Sequence, residues 1–359
     1  LLSFLSSTVF AQIPDWENPN IIQYNKEKAH SHFYPFESLE LAKSNDPNQS
    51  SRYQTLNGKW LFYWSENQDK KPKGFYKPDY DRSTWDSLMV PSNWELQGFG
   101  VPIYVNIPYE WTHNPQPPEV PKDYNPVGCY YRTFNLDSAW AVNNVFIHFG
   151  AVKSAFYLWV NGQKVGYSQG SKLPAEFDIT NYIKQGENSV AVEVIRWSDG
   201  SYLECQDFWR ISGIERDVYL TSRTPLFIVD FETKTFMNDD YSKGYLDLII
   251  DLENRSKYFY KESMIIARVF RNGEQIKKSF LSGKKFLPGD GRQIKKLFQI
   301  PYPDLWSAET PNLYQITLEL RFGIVKLEVT SGFFGFKEVE IKDSQLLVNG
   351  KAVLLKGVN

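Results

Sequence analysis

The sequence predicts an all-β protein built from antiparallel sandwiches, and three observations carry that reading. Apolar residues recur with period two in several separate runs, as strands with one buried face require. Three Asn-Gly pairs, Asn161-Gly162, Asn272-Gly273 and Asn349-Gly350, are spaced among these runs. Asn-Gly signals a two-residue type I′ hairpin, because both central residues take positive φ. No segment carries a sustained 3.6-residue period with helix caps. Aromatics make up 16% of the chain, and such side chains suit a half-buried pleated surface. With 359 residues the chain exceeds one compact core and predicts two or three domains, at roughly 150 residues each.

Taken in order, residues 1–11 are apolar and uncharged and too short to span a bilayer. They read as the end of a secretory signal peptide, with Val9 and Ala11 as the small residues before a cut ahead of Gln12. The expectation is an exported protein, periplasmic or extracellular, with no membrane insertion. Residues 12–50 are polar, rich in Asn, His and Pro, and read as an arm with a short helix near Leu39–Ser44. A first sandwich is expected over 51–222. In it Val145, Ile147 and Phe149 alternate with Phe146 and His148, and Val190, Val192 and Val194 with Ala191 and Glu193. Thr224-Pro225 reads as the link to a second sandwich, 223–333. There Leu246, Leu248, Ile250 and Leu252 alternate with Asp247, Ile249 and Asp251, and Tyr314, Ile316, Leu318 and Leu320 with Gln315, Thr317 and Glu319. Residues 334–359 hold a hairpin at Asn349-Gly350 and then an apolar run, Ala352–Leu355, of buried-strand type.

Composition and motifs exclude several functions. Lys plus Arg is 40 and Asp plus Glu 42, so there is no basic surplus to neutralise phosphates and nucleic acid is not an expected partner. Cys129 and Cys205 do not make a disulfide scaffold. His30, His32, His113 and His148 lack zinc-ligand spacing, and His148 reads as a sheet residue. No phosphate loop or G-x-S-x-G elbow occurs.

One stretch stands apart. From Arg196 to Val218 the chain packs Asp199, Glu204, Asp207, Arg196, Arg210, Trp197 and Trp209 into a loop after a strand. Charges beside large aromatics are costly to bury unless they are paired or bind something. Asp207, among Trp197, Phe208 and Trp209, is therefore expected to be partly desolvated. Its bland alternative is a structural carboxylate paired with Arg196 or Arg210.

This stretch resembles the corresponding segment of the large β-galactosidases of glycoside hydrolase family 2. The resemblance continues in order along the chain, through Asp15-Trp16-Glu17-Asn18-Pro19, Leu56-Asn57-Gly58-Lys59-Trp60, Val90-Pro91-Ser92-Asn93-Trp94 and Pro102-Ile103-Tyr104-Val105-Asn106. It runs on through Asn125-Pro126-Val127-Gly128-Cys129-Tyr130, Leu173-Pro174-Ala175-Glu176-Phe177-Asp178, Leu305-Trp306-Ser307-Ala308-Glu309 and Leu347-Val348-Asn349-Gly350-Lys351. It implies a jelly-roll, galactose-binding-like domain over 51–222, an immunoglobulin-like sandwich over 223–333 and the start of a truncated (β/α)8 barrel over 334–359, with Lys356-Gly357-Val358-Asn359 in its first strand.

The family's two catalytic carboxylates lie on later barrel strands, so no catalytic residue is expected in this chain. Asn106 and Asp207 match substrate-binding positions, with Asp207 also on a sodium ion. Asp15, Asn18, the Ile21 carbonyl, Gln169 and Asp199 match an oxygen-ligand magnesium site, and such ligands suit a hard cation. Cys205 departs from the family's pattern, which has an acidic residue there. The implied activity is retaining hydrolysis of terminal non-reducing β-D-galactose in β-galactosides, with magnesium and sodium as cofactors and a homo-oligomeric full-length enzyme. The rivals are another specificity in the family, β-glucuronidase or β-mannosidase, and a stand-alone pair of carbohydrate-binding modules.

Overall fold

The computed structural model describes residues 13–105, 107–205, 207 and 209–357. The signal-peptide reading of residues 1–11, the substrate-binding assignment of Asn106, and the last two residues of the expected barrel strand therefore lie outside the described residues. The chain is nearly all β, as its alternating runs predict, with two compact units. One comprises the chain up to Lys28, Thr55–Ala141 and Phe146–Leu220; the other comprises Ala29–Gln54, Val142–Val145 and Thr221–Asn359.

The first unit holds strands β1 (Gln23–Tyr24), β2 (Gly58–Ser65), β3 (Asp86–Val90), β4 (Val127–Leu136), β5 (Asn144–Phe149), β6 (Ala155–Val160), β7 (Gln163–Gln169), β8 (Ala175–Asp178), β9 (Gly186–Ile195) and β10 (Val218–Arg223). Its large antiparallel sheet runs β1-β7-β6-β9-β4-β2-β3, and β8, β5 and β10 are neighbours in a second sheet. Asn161 and Gly162 join β6 to β7 with φ of 50° and 79°, the two positive values of the predicted hairpin.

The alternation in β5 and β9 predicts one buried face, but both faces are buried from Val145 to Phe149 and from Asn188 to Ile195. For β9 the physical reason is a cover on the outer side of the large sheet. Tyr131, Tyr157, Trp159, Tyr167 and Ala191 on that side pack against Trp16, Ile21 and Tyr24 of the arm and against Phe75, Tyr76 and Trp85. Glu193, at 2% exposure on β9, is accommodated by Lys71 Nζ at 2.6 Å. His148 is a sheet residue, stacked on Tyr219 at 4.5 Å.

The second unit pairs two sheets. β11 (Leu226–Met237), β12 (Lys243–Asn254) and β15 (Gly291–Pro301) form one, in the order β11-β12-β15. The other runs β14 (Glu274–Phe286), β13 (Tyr260–Arg271), β16 (Tyr314–Phe322) and β17 (Val325–Phe334). Leu246, Leu248, Ile250 and Leu252 point into the core as their period predicts, and meet Ile265, Val269, Ile316, Leu318 and Leu320. Thr317 and Glu319 are buried as well, so β16 has two covered faces. Helix α1 (Leu39–Ser44) forms where the sequence predicts it; it starts with the Ser38 side chain accepting from Leu41 N–H, and Ala42 packs with Phe36 and Val329. Thr224-Pro225 separates β10 from β11. After β17 the chain folds into a small three-stranded antiparallel sheet over 339–352 around Asn349-Gly350. No strand forms over 353–357, and Leu354 and Leu355 are exposed, so the apolar run Ala352–Leu355 is not the buried strand its composition predicts.

The last residues of β10, Thr221–Arg223, already belong to this unit, and in it Arg223 is buried against Glu328 of β17. Its Nε and Nη2 each donate to the carboxylate at 3.1 Å, and Nη2 also donates to the Ile228 carbonyl. The same carboxylate accepts from Ile228 N–H at 2.8 Å. Removing one partner leaves an uncompensated buried charge, which costs about 3–5 kcal/mol. Glu328→Ala is therefore expected to lower the unfolding free energy of the second unit by that amount in urea titration. A loss under about 1 kcal/mol would show that the pair is solvated in solution.

Candidate functional site

Two groupings of polar residues stand out, both in the first unit. The first is made by the arm. β1 pairs with β7, Gln23 opposite Ser168 and Tyr24 opposite Tyr167. Gly166 makes the approach possible: a Cβ there would lie 2.8 Å from the Tyr24 carbonyl and 2.5 Å from the Phe177 ring. The arm is stitched down at two further points, where Gln169 N–H donates to the Ile22 carbonyl at 3.0 Å and Asp199 N–H to the Trp16 carbonyl at 2.7 Å. Upstream, Asp15 starts a single 3-10 turn and accepts from the Tyr157 hydroxyl at 2.9 Å.

This brings the arm, which carries Asp15, Asn18 and Ile21, against Gln169 and Asp199. Gln169 Nε2 donates to Asp199 Oδ1 at 2.7 Å, and Gly200 N–H donates to the same oxygen at 2.9 Å. Asn18 Oδ1 accepts from Asn20 N–H at 3.1 Å. Burial pushes the Asp199 carboxyl above its ordinary value, against the pull of the Gln169 and Gly200 hydrogen bonds. Burial, with Asp15 adding to it, also holds the Tyr24 and Tyr157 hydroxyls protonated. Among the described residues no group of three or more His, Cys, Asp or Glu is arranged to hold a metal. The set here has two carboxylates; its other oxygens are amide and carbonyl, the donor chemistry of a hard cation.

The second grouping is the loop that follows β9. Ser92–Asn93, Gly213–Ile214 and Val152–Lys153 form a small three-stranded sheet that pins its far end. Gly213 has φ of 134°, and a Cβ there would lie 2.7 Å from the Ser92 carbonyl, so only glycine fits. Before it, Arg210 N–H donates to the Ile103 carbonyl at 2.7 Å, which joins the loop to the segment 101–112. On this joined surface Asp207 is exposed. Trp209, at 51% exposure, packs against Tyr104, at 64%, with ring centroids 5.1 Å apart and planes tilted by 32°.

Asp207 is thus solvated, not partly desolvated. Both arginines instead lie against glutamates supplied by earlier segments. Arg196 Nη1 lies 3.1 Å from Glu95 Oε1, and both side chains are fully buried. Glu95 also accepts from Ser212 N–H at 2.8 Å, while Arg196 donates to the Val101 and Arg210 carbonyls. Arg210 lies against Glu110, whose carboxylate accepts from Trp197 Nε1 at 2.8 Å and from the Cys205 thiol at 3.2 Å. Glu204 accepts from Ser171 N–H at 2.6 Å.

Glu95 and Glu110 are the residues that sequence reasoning missed. A buried arginine demands a counter-charge, yet nothing in the local sequence says which of the chain's acids provides it.

The first unit thus presents an exposed carboxylate, Asp207, and a pair of exposed aromatic rings, Tyr104 and Trp209, on joined loops. The chain belongs to glycosyl hydrolases family 2. The family's sugar binding domain matches residues 53–225 and a second domain of the same family matches 226–337. A protein named β-galactosidase from Priestia megaterium is 42% identical over 351 residues, which is 96% of this chain and 34% of that protein. The chain therefore spans about a third of the length of this curated relative. Solved structures share the fold. Bacteroides uniformis β-glucuronidase 2 is 20% identical with a TM-score of 0.70, over 85% of this chain and 35% of the other. A β-glycosidase from Bacteroides vulgatus is 24% identical with a TM-score of 0.66, over 85% and 36%.

The thiol of Cys205 has a measurable signature. Burial first, and then the Glu110 charge, push it up to about 11. The thiolate is the reactive form, so at pH 7.5 the reactive fraction is expected to be about a hundredfold or more below that of an ordinary thiol. Modification by a disulfide reagent should rise tenfold per pH unit from pH 7 to 9 with no plateau. A plateau near pH 8.5 would show a solvated thiol.

Proposed function

We propose that this chain is the amino-terminal part of a retaining glycosidase that removes terminal non-reducing β-D-galactose from β-galactosides. The observation that carries the reading is the 42% identity to a β-galactosidase over 96% of the chain. The exposed Asp207 carboxylate and the exposed rings of Trp209 and Tyr104 agree with it. Retaining hydrolysis needs a nucleophile and an acid/base about 5–5.5 Å apart. In this reading both come from chain beyond residue 359, and the present chain shapes the pocket through Asp207 and Asn106. The glucuronidase fold neighbours are 20% identical, a likeness that supports the fold and not the sugar. The full-length protein is further proposed to be exported and homo-oligomeric.

The arm grouping fits a divalent cation such as magnesium. Its donors are oxygens, and a carboxyl that burial holds above its ordinary range is one that a cation would favour ionised. Asp15, Asn18, the Ile21 carbonyl, Gln169 and Asp199 would hold it, and it would neutralise the Asp15 and Asp199 carboxylates. Sodium at Asp207 would supply charge to the sugar site, where the exposed carboxylate accepts hydrogen bonds from sugar hydroxyls, each contributing roughly 1.5–3 kcal/mol.

Three outcomes are expected. The full-length protein should turn over an aryl β-galactoside in preference to the glucuronide and mannoside, and the 359-residue chain should turn over none of them. Preference for the glucuronide, or turnover by the isolated chain, would refute the reading. Asp207→Asn in the full-length protein should lose sodium dependence and about ten- to a hundredfold in kcat/KM, or about 1.4–2.7 kcal/mol, while Asp247→Asn on β12 should lose neither. Because a ligand that binds only the folded state stabilises it, a chelator should lower the melting temperature of the wild type but not of Asp199→Ala. Equal shifts in both proteins would remove the metal.

A further inference from the structure

The Asp207 loop has little regular structure of its own, so something other than a ladder must hold it. Apart from a four-residue helix at Ser201–Glu204, residues 197–212 run without a helix or named strand among the described residues. The facing segment 101–112 likewise contributes only the isolated bridge between Ile103 and Arg210.

The side chain that ties the two together is Glu110. It is 4% exposed, and its contacts run to the other loop. Oε1 accepts from Trp197 Nε1 at 2.8 Å, Oε2 accepts from the Cys205 thiol at 3.2 Å, and the Arg210 guanidinium lies 4.0 Å away. Arg210 closes the ring by donating to Cys205 Sγ at 2.9 Å and to the Ile107 carbonyl at 3.3 Å. Cys205 and Arg210 bracket residues 206–209, which include Asp207 and Trp209. One buried carboxylate therefore holds both ends of the short span that carries the exposed Asp207 and the exposed Trp209. Anchoring Cys205 and Arg210, the neighbours on either side, limits where Asp207 and Trp209 can go before a ligand arrives, and preorganisation of this kind acts on binding.

We infer that Glu110 is the positioning residue for Asp207 and Trp209, acting through Cys205 and Arg210 on how tightly the sugar is held. This rests on the proposed function only in taking the Asp207 loop to be part of the substrate site. Glu110 itself touches no substrate. Its negative charge is what matters, because it faces Arg210 and, more distantly, the buried Lys153. A carboxylate at position 205 would reach the same guanidinium from the opposite side, since Cys205 already touches both Glu110 and Arg210.

The test uses the full-length protein with its preferred aryl glycoside. Glu110→Gln keeps the shape and an acceptor for Trp197 but removes the charge. It is expected to raise KM about tenfold with kcat changed less than threefold. Adding Cys205→Asp to Glu110→Gln returns a carboxylate to the cluster and should bring KM back to within threefold of the wild type. Glu328→Gln, a buried ion-pair loss in the second unit, serves as the control for general destabilisation and should leave KM unchanged. A Glu110→Gln protein with wild-type KM would overturn the inference, as would a folded double variant whose KM stays raised tenfold. If Glu110→Gln alone does not fold, the double variant against the wild type decides by the same two values. Failure of the galactoside reading shows separately, as a wild type that prefers another glycoside, and the Glu110 comparison is then made on that glycoside.

Discussion

The first unit depends on burying arginines without leaving them unpaired. Arg196 is fully buried at the end of β9, and an isolated guanidinium there would cost several kcal/mol. Glu95 meets it at 3.1 Å, and backbone carbonyls of Val101 and Arg210 accept from its Nη1 and Nη2. Arg210 repeats the device with Glu110. Each arginine leaves the loop after β9 and reaches a segment about a hundred residues earlier in the chain, so the irregular loops are located by charge pairing and not by a sheet ladder. This is a demanding way to hold a surface, since half a pair is worse than none, and it confines the loop that carries Asp207 and Trp209.

The arm works by a different principle. Trp16, Ile21 and Tyr24 lie over the aromatic outer face of the large sheet, which would otherwise expose Tyr157, Trp159 and Tyr167 to water. At roughly 25 cal/mol per Å2 of apolar area, covering rings of this size holds a polar, irregular segment in place. The same docking brings Asp15 to the Tyr157 hydroxyl and Asp199 to the Trp16 carbonyl. Hydrophobic cover and an oxygen-rich grouping are thus two consequences of one contact. The second unit uses its own stretch of arm similarly, with Ala42 and Phe36 packed against Val329.

The strands and their turns were legible in the sequence, and the reasons are local. Period two is a property of the pleat, and Asn-Gly is a property of two dihedral pairs, so Asn161-Gly162, Asn272-Gly273 and Asn349-Gly350 all have the positive φ they announce. Leu246 to Leu252 face the core for the same reason. The helix at Leu39–Ser44 was legible too, from a short run of helix formers after Ser38. What failed was the inference from alternation to a single buried face, because Ala191 and Glu193 cannot reveal that a distant arm and the residues near Phe75 will cover them.

The sequence by itself also singled out the stretch from Arg196 to Val218, since charges at that density beside tryptophans are costly to bury unless they are paired or bind something. The resemblance grouped Asp199 with Gln169, and Gln169 Nε2 donates to Asp199 Oδ1 at 2.7 Å. The sequence could not say that Asp207 would be exposed, nor that Glu95 and Glu110 would take the arginines. Local chemistry decides which groups need a partner, whereas the identity of that partner is set by which segments the fold brings within 4 Å. Segments about a hundred residues apart come together only when the sheets beneath them have formed, so only the tertiary structure could choose Glu110.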